Sequence, residues 1–369
     1  MRKVGGFLAR LSPAVAIVLL LAAPGPRFER PPGAQKPDVA EVAETDDSGL
    51  HHAGPVEFGT QQLTLRMPDG RTEPACNELR AQPEFDKKFR PGDKAVVVSP
   101  PGRKEGEPYI ARDHWRMGRY AAAAALFAAA LCAVAGKSGA TALLTFAAGC
   151  LAIWKILVPA VLAGWDARAA SFLVASALAA VVSFSVATSA STGFCAFAGS
   201  MLGIAASAAL SSAFAEFLRV NGATMPFSQQ LLNAGIAGID LQDVFCGAAT
   251  IAASGAVTDL GMDISAGVAE VSRHNPSLGF RELFASGRRI GAAVLGTMAT
   301  TLLLAYSGGY LTMLASFAAA GAAPADFLNT PLVAAEAAKT LAGSFGLVLT
   351  APFTAAAAAW IFKADGRER

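Results

Sequence analysis

The feature that most constrains the fold is a long, nearly uncharged stretch between residues 120 and 362, built mainly from Ala, Leu, Val, Phe, Gly and Ser. Charged residues make up 16% of the chain and hydrophobic residues 53%, whereas a soluble globular protein carries roughly 25% charged residues. A large share of the charges lies between residues 24 and 118. This is the composition of a membrane protein, and the net charge of +2 gives no indication of nucleic acid binding.

A membrane-spanning helix needs roughly 20 mainly apolar residues. The sequence therefore predicts an all-α polytopic membrane helix bundle of about seven to eight spans. The candidate segments are Leu8–Ala23, Tyr120–Gly136, Thr141–Ala163, Ala170–Thr188, Phe194–Leu218, Val244–Ile264, Ile290–Ala315 and Thr340–Phe362. The first of them, within residues 1–23, is either a membrane anchor or a signal peptide whose basic residues are Arg2, Lys3 and Arg10.

Basic residues in short loops resist translocation and mark the cytoplasmic side of a bundle. With the N-terminus inside, the inner loops carry Lys137, the arginines between residues 273 and 289, and the tail residues Lys363, Arg367 and Arg369. We therefore expect both termini in the cytoplasm, residues 24–118 on the opposite side, and residues 119–369 as a multi-span membrane domain.

The outer segment begins with a part that has no apolar period. Residues 24–55 combine several prolines with the acidic residues Glu41, Glu44, Asp46 and Asp47. A polar, proline-rich composition of this kind is typical of a disordered linker.

Residues 56–118 have the pattern of strands. Gln62–Met67 alternates apolar and polar residues, and Lys94–Ser99 is rich in valine. The turn signals Pro68-Asp69-Gly70 and Pro91-Gly92-Asp93 adjoin these runs. We expect a small extracytoplasmic β-barrel or sandwich of at most five or six strands.

Acidic residues inside the apolar stretch are the first candidates for function. Asp259, Asp263 and Glu270 fall within about 40° of one another on a continuous helix. A charge at bilayer depth costs at least ~2.5 to 3.5 kcal/mol, so such acids are candidate functional residues. The alternative is a helix that ends near Ile264, which would leave Asp263 and Glu270 as interfacial carboxylates balanced by arginines.

Other polar side chains in the apolar stretch extend this candidate path. Lys155 lies near the middle of a predicted span, where it either takes part in the path or extends its ammonium toward Glu216 or the interface at Trp165. The hydroxyls of Thr297, Thr300 and Thr301 follow a row of glycines, a combination that also serves simple helix packing.

Signatures of catalysis are missing from the sequence. There is no His-Glu-x-x-His, Gly-x-Ser-x-Gly or Gly-x-Gly-Asp motif. The five cysteines have no metal-ligand spacing. The sequence predicts a protein that is not an enzyme, and it assigns no cofactor, metal site or catalytic residue.

An ordered set of short motifs resembles the YibE/F-like family of bacterial multi-pass membrane proteins. The motifs are Gly255-Ala-Val-Thr-Asp259, Ala269-Glu270, Asn275-Pro276, Glu282-Leu-Phe-Ala-Ser-Gly287, Gly296-Thr-Met298, Leu303-Leu-Ala-Tyr306, Ala342-Gly-Ser-Phe-Gly346 and Pro352-Phe-Thr354. Through its motif, Tyr306 joins the candidate path. The chain departs from the family pattern at Asp263, where the family carries a Ser-type residue, and at Thr300, where it carries an Asn-type residue.

The resemblance implies a polytopic protein of the bacterial inner membrane, sometimes described as permease-like, with an extracytoplasmic β-domain. We expect a transporter whose polar path runs through Asp259, with the lipid bilayer as its surroundings and a small solute or ion as its substrate. The alternative is a membrane scaffold or assembly factor that recruits an extracytoplasmic protein partner through the outer β-domain.

Overall fold

The computed structural model describes residues 13–23, 37–104, 106–236, 238–308 and 310–367. The chain divides into two compact units, one formed by residues 27–134 and the other by residues 1–26 together with residues 135–369. The first unit carries the described strands and the second carries a helical bundle.

A β-barrel forms most of the first unit. Its strands are β1 (Asp38–Asp46), β2 (Leu50–Ala53), β3 (Val56–Arg66), β4 (Thr72–Arg80), β5 (Lys94–Val98) and β6 (Tyr109–His114). They are ordered β1-β5-β6-β4-β3-β2, and an additional pairing of β1 with β3 closes five of them into a barrel. The short strand β2 extends the sheet beyond β3 as half of a hairpin.

The strand directions give this barrel the connectivity of an OB-fold. Neighbouring strands run antiparallel except β4 and β6, which run parallel. Three consecutive barrel strands, β1, β3 and β4, therefore form a meander, and the last two strands cross to close it. The OB-fold is a partly open five-stranded Greek-key barrel.

The barrel confirms the strand patterns read from the sequence. Leu63, Leu65 and Met67 are buried between the outward residues of β3, as the alternation of Gln62–Met67 predicts. The core also contains Ala40, Val42, Ala75, Phe89, Ala95, Val97 and Ala111. The Pro68-Asp69-Gly70 turn is closed by a hydrogen bond from Gly70 N to Met67 O of 2.9 Å.

The predicted disordered linker over residues 24–55 is wrong for residues 38–53, which form β1 and β2. Only two small side chains of β1, Ala40 and Val42, enter the barrel core, while Glu41 faces outward. Composition gave no indication of this strand, because its acidic residues lie on the outward face and a count of charges does not distinguish the two faces of a strand. Residues 24–36 lie outside the described part of the chain.

The helices account for the remaining structure. They are α1 (Pro13–Ala22), α2 (Met117–Ala152), a π-helical turn (Ile153–Leu157), α3 (Val158–Leu162), α4 (Ala167–Val186), α5 (Ala190–Phe217), α6 (Ser228–Asn233), α7 (Leu241–His274), α8 (Phe280–Gly308), α9 (Leu311–Ala319), α10 (Pro324–Leu328) and α11 (Pro331–Arg367).

Five of the described helical stretches are long and apolar enough to cross a membrane. They are Met117–Leu162, Ala167–Val186, Ala190–Phe217, Leu241–His274 and Pro331–Lys363. The mainly helical fold is therefore as predicted, and the spans counted by this measure are fewer than the seven to eight expected.

Four predicted segments differ in their bounds from the observed helices. Tyr120–Gly136 and Thr141–Ala163 merge into Met117–Leu162, and their predicted boundary survives as a break at Gly136, whose φ is 55° and ψ −128°. Ile290–Ala315 is divided between α8, which ends at Gly308, and α9, which begins at Leu311. Only Pro13–Ala22 of the first segment is described as helix.

Polar side chains fix where three helices of the bundle begin. Asp166 accepts hydrogen bonds from the backbone of Arg168 and Ala169 at the start of α4. Ser189 caps α5, and Asp240 caps α7 through Gln242 N at 2.7 Å. These caps satisfy backbone N–H groups that have no partner within the helix. Helix α7 then packs against α4, α5, α8 and α11.

Candidate functional site

The predicted acidic residues lie on the one exposed face of α7. Most of this helix is buried in the bundle, including Val257, Leu260, Gly261 and Ile264. Before the last turn of this helix, a single row of its residues is exposed, and we call this row the α7 stripe. Its members are Ala248, Ala252, Gly255, Asp259, Asp263, Ala266 and Glu270.

Helix α7 continues past Ile264, near which the alternative interpretation ends the helix. It runs from Leu241 to His274 without interruption, so the premise of a helix end near Ile264 is wrong. Asp259 lies 18 positions after Leu241, which is about 27 Å along the helix axis. Asp263 follows one turn later on the same face. Asp259 therefore lies near the middle of this 34-residue helix, and Asp263 lies one turn closer to its C-terminal end.

Glu270 has different surroundings from the two aspartates. Its carboxylate pairs with Arg273 at 2.6 Å and lies 3.1 Å from His274 Nδ1. All three side chains are more than half exposed. Such exposed pairs within the last turns of a helix contribute little to stability, so Glu270 behaves as a terminal residue of α7.

Helix α8 packs beside the second half of α7 through glycines. A side chain on Gly291 would meet Ile264 of α7 and Ala351 of α11, and one on Gly287 would meet Val268 and Ala355. This close approach is the use predicted for the glycine row.

The predicted hydroxyl row lies further along α8 and is exposed. Thr297 donates to Val294 O, Thr300 to Gly296 O and Thr301 to Thr297 O, each at 2.9 Å. Within the described residues, no hydrogen bond joins these hydroxyls to the acids of α7. The side chain of Tyr306 lies outside the described part of the chain.

Lys155 is not brought to the acids either. It lies in the π-helical turn, and its Nζ donates to Ala23 O at 3.3 Å. This carbonyl follows α1, so the ammonium satisfies a backbone acceptor at that helix end. Pairing with Glu216, which was the sequence-based alternative, is not seen among the described ion pairs.

Sequence reasoning missed an ion pair that joins the first turns of α4 and α7. Arg168 of α4 pairs with Asp243 of α7 at 3.0 Å. On α11, Glu336 pairs with Lys339, whose ammonium lies 5.9 Å from the ring centre of Phe245. The spacing of Glu336 and Lys339 signals their pairing, whereas nothing in the sequence links Arg168 to Asp243.

No three His, Cys, Asp or Glu side chains of the described residues come together as a metal-ligand set. The polar features of the described part of the bundle include the α7 stripe, the exposed threonines of α8 and the two ion pairs Arg168–Asp243 and Glu336–Lys339.

Comparison with known proteins places the membrane domain in a family. No curated protein and no solved structure matches the chain. The family model described as YibE/F-like protein matches residues 123–364, a range that contains every helix from α3 to α10 and most of α2 and α11. With its long apolar helices, the chain is a membrane protein. It belongs to the YibE/F-like family.

Proposed function

We propose that this protein is a permease-like transporter whose path for a small solute or ion runs along the α7 stripe. The observation that carries the proposal is the exposure of Asp259 and Asp263 on one face near the middle of α7. Proton or cation transfer is the simplest chemistry for two neighbouring carboxylates that have no basic partner among the described ion pairs.

The cost of exposing these carboxylates to lipid supports a hydrated path. Each charge at bilayer depth costs at least ~2.5 to 3.5 kcal/mol, and intramembrane acids usually face water or a polar partner. A water-filled path beside α7 removes this cost. The small residues of the stripe, Ala252, Gly255 and Ala266, leave room for water on both sides of the acids.

The packing behind α7 supports placing the path at the stripe and not inside the bundle. On that side Gly261 lies against Ser200 of α5, and Ser265 donates to Thr192 O at 2.6 Å. Gly203 of α5 in turn lies against Thr350 of α11. These helices approach closely at both glycines.

The proposal includes an orientation. We place the protein in the bacterial inner membrane with both termini cytoplasmic and the barrel outside, an orientation that counts Met117–Leu162 as two crossings separated at the Gly136 break and α8 as a further crossing. The support is the concentration of arginine around the connection between α7 and α8, where Arg273, Arg281, Arg288 and Arg289 lie.

Flux measurements on the purified full-length chain in phosphatidylcholine liposomes test the proposal, with protons and sodium ions as the probes. We expect the protein to accelerate the decay of a pH gradient or the uptake of sodium. Asp259→Asn should reduce flux to the level of protein-free liposomes, because the amide keeps the shape and removes the charge. Glu270→Gln is the matched control and should retain flux, since Glu270 belongs to the helix end. Full flux in folded Asp259→Asn would reject the path.

A second candidate function is a membrane scaffold, and a cavity of about 710 Å³ on the barrel, lined by residues of β4, β6 and the segment Gln82–Lys87, favours it. In that role the carboxylates of the stripe pair with another membrane chain. Asp259→Asn would then lower the amount of folded protein or of its complex, and the wild-type chain would carry neither probe ion.

A further inference from the structure

The barrel is open between β4 and β6. Two residue pairs join these strands, Ala75 with Tyr109 and Cys76 with Ile110. Beyond this point β4 continues to Arg80 and β6 continues to His114 without pairing to each other. The backbone edges of the two strands therefore border a fork whose apex is the Cys76–Ile110 pair.

A cavity of about 710 Å³ lies in this fork, which is within the usual range of ligand sites. The segment Gln82–Lys87 forms its remaining wall. We call this cavity the fork groove. It lies on the outer surface of the barrel, because Ala75, Asn77 and Leu79 of β4 point inward while Cys76 and Glu78 do not.

The fork groove has an apolar part. Phe85 is 58% exposed and Ile110 45% exposed, although both are large hydrophobic residues. Burial raises the pKa of the Cys76 thiol, so this residue stays neutral and adds to the apolar surface. An occupant with an apolar side chain would cover these residues.

The carboxylates of the fork groove are already bound by the chain itself. Asp86 accepts hydrogen bonds from Arg80 N at 2.9 Å and from Gln82 N at 2.7 Å. Glu78 pairs with the Arg80 guanidinium at 2.9 Å. In contrast, Lys87 and Arg112 have no ion pair with any described residue. The charge available to an occupant is therefore positive.

We propose that the fork groove binds an extended acidic segment of a partner protein. Its backbone adds to the edge of β4 at Glu78, between the Cys76–Ile110 pair and the Arg80 N–H that Asp86 already binds, an apolar side chain covers Phe85 and Ile110, and its carboxylates pair with Lys87 and Arg112. Strand addition to an open sheet edge is a recurring mode of peptide recognition, in which the backbone gives affinity and alternate side chains give specificity. This site is separate from the α7 stripe and stands whether or not the protein transports.

The geometry favours a peptide over a lipid surface. A lipid headgroup would use the two cations and leave the backbone of β4 at Glu78 uncovered, whereas a strand uses both.

Fluorescence anisotropy with the full-length chain in a neutral detergent tests the proposal. The probe is a labelled decapeptide of alternating valine and glutamate. Comparison peptides replace glutamate by lysine, or valine by proline, which keeps the charges and cannot pair with a strand edge. We expect binding of the first peptide only. Lys87→Gln combined with Arg112→Gln should weaken it about tenfold through loss of two charge contacts. Arg66→Gln with Lys94→Gln removes equal charge from the barrel outside the groove and should change affinity less than about twofold.

Three results would overturn the proposal. Equal binding of the proline peptide would exclude strand addition, and unchanged affinity in the Lys87 and Arg112 double variant would exclude the groove. If that variant instead loses binding to phosphatidylglycerol vesicles while no valine and glutamate peptide binds to the wild type, the surface recognises lipid. Ile110→Asp provides a second check, since it keeps the cations and should abolish peptide binding.

Discussion

Gly203 of α5 lies so close to Thr350 of α11 that a methyl group on this glycine would overlap the threonine hydroxyl. The same relationship recurs along the contact, where Gly199 lies against Thr354 and Gly346 lies against Ser207. At each of these positions, a glycine on one helix lies against a serine or threonine of the other helix. Close packing of this kind holds α5 and α11 together as a firm support behind α7.

We expect Gly203→Ala to destabilise the bundle by about 1 to 3 kcal/mol, because the added methyl group has no space and forces the helices apart. Gly255→Ala is the matched control. A side chain on Gly255 meets no atom within 4 Å, and alanine favours a helix over glycine by up to about 1 kcal/mol. Thermal unfolding in detergent measures both, and equal unfolding temperatures would contradict the packing argument.

The barrel should lose stability in acid partly through Asp47. The Lys88 ammonium and the Gln61 amide, which bind its carboxylate, hold the pKa of Asp47 below its ordinary value of 3.8. A lowered folded-state pKa contributes stability that is present above the ordinary pKa and is lost as the pH falls through the lowered value.

Asp47→Asn should therefore be less stable than the wild type at about pH 5 and should approach it as the pH falls toward about 2. Pepsin cleavage of the full-length chain between these values, normalised to an Asp38→Asn control, measures the difference. A gap between wild type and Asp47→Asn that stays constant over this pH range would show that the ionised carboxylate does not contribute.

Periodicity revealed the parts of the fold in which one face is buried throughout. The alternation from Gln62 to Met67 located β3, because each inward position is a large apolar residue. Helical spacing placed Asp259, Asp263 and Glu270 on one face of α7. The same reasoning missed β1, where the inward residues are only Ala40 and Val42 and the outward ones are acidic.

Contacts between distant segments were beyond sequence reasoning. Arg168 meets Asp243 and Lys155 meets the Ala23 carbonyl only because the fold brings their helices together. The break in α2 was signalled by Gly136, but the sequence could not tell a helix break with positive φ from the end of a span. The fork groove was also hidden, since its walls come from three separate parts of the barrel.

Cysteine labelling tests the proposed orientation. Ser277 is exposed in the connection between α7 and α8, and Ser48 is exposed in the turn after β1. In whole cells, with the five native cysteines replaced, a membrane-impermeant maleimide should label Ser48→Cys and leave Ser277→Cys unlabelled until the membrane is opened. The physical reason is the arginine concentration around Ser277, which resists translocation. The reverse labelling pattern would show that the bundle has the opposite orientation in the membrane.

Labelling along α7 distinguishes a hydrated path from a face covered by protein or lipid. Single cysteines at Ala252, Gly255 and Ala266 place a thiol on the α7 stripe, whereas one at Val257, which is fully buried, points into the bundle. A negatively charged thiosulfonate reagent reacts with thiolates, which form only where water reaches the thiol. We expect all three stripe positions to react in liposomes and Val257→Cys to stay unmodified.

The positions along the stripe at which cysteines fail to react then show what covers this face of α7. Gly255 lies one turn before Asp259, near the middle of the helix, and Ala266 lies about 12 Å before the end of α7. Reaction at Ala266→Cys alone would mean that water enters only at the helix end. Together with unreactive Ala252→Cys and Gly255→Cys, that result would contradict a continuous path. It would require the two aspartates to be covered by another membrane chain, as the scaffold function demands.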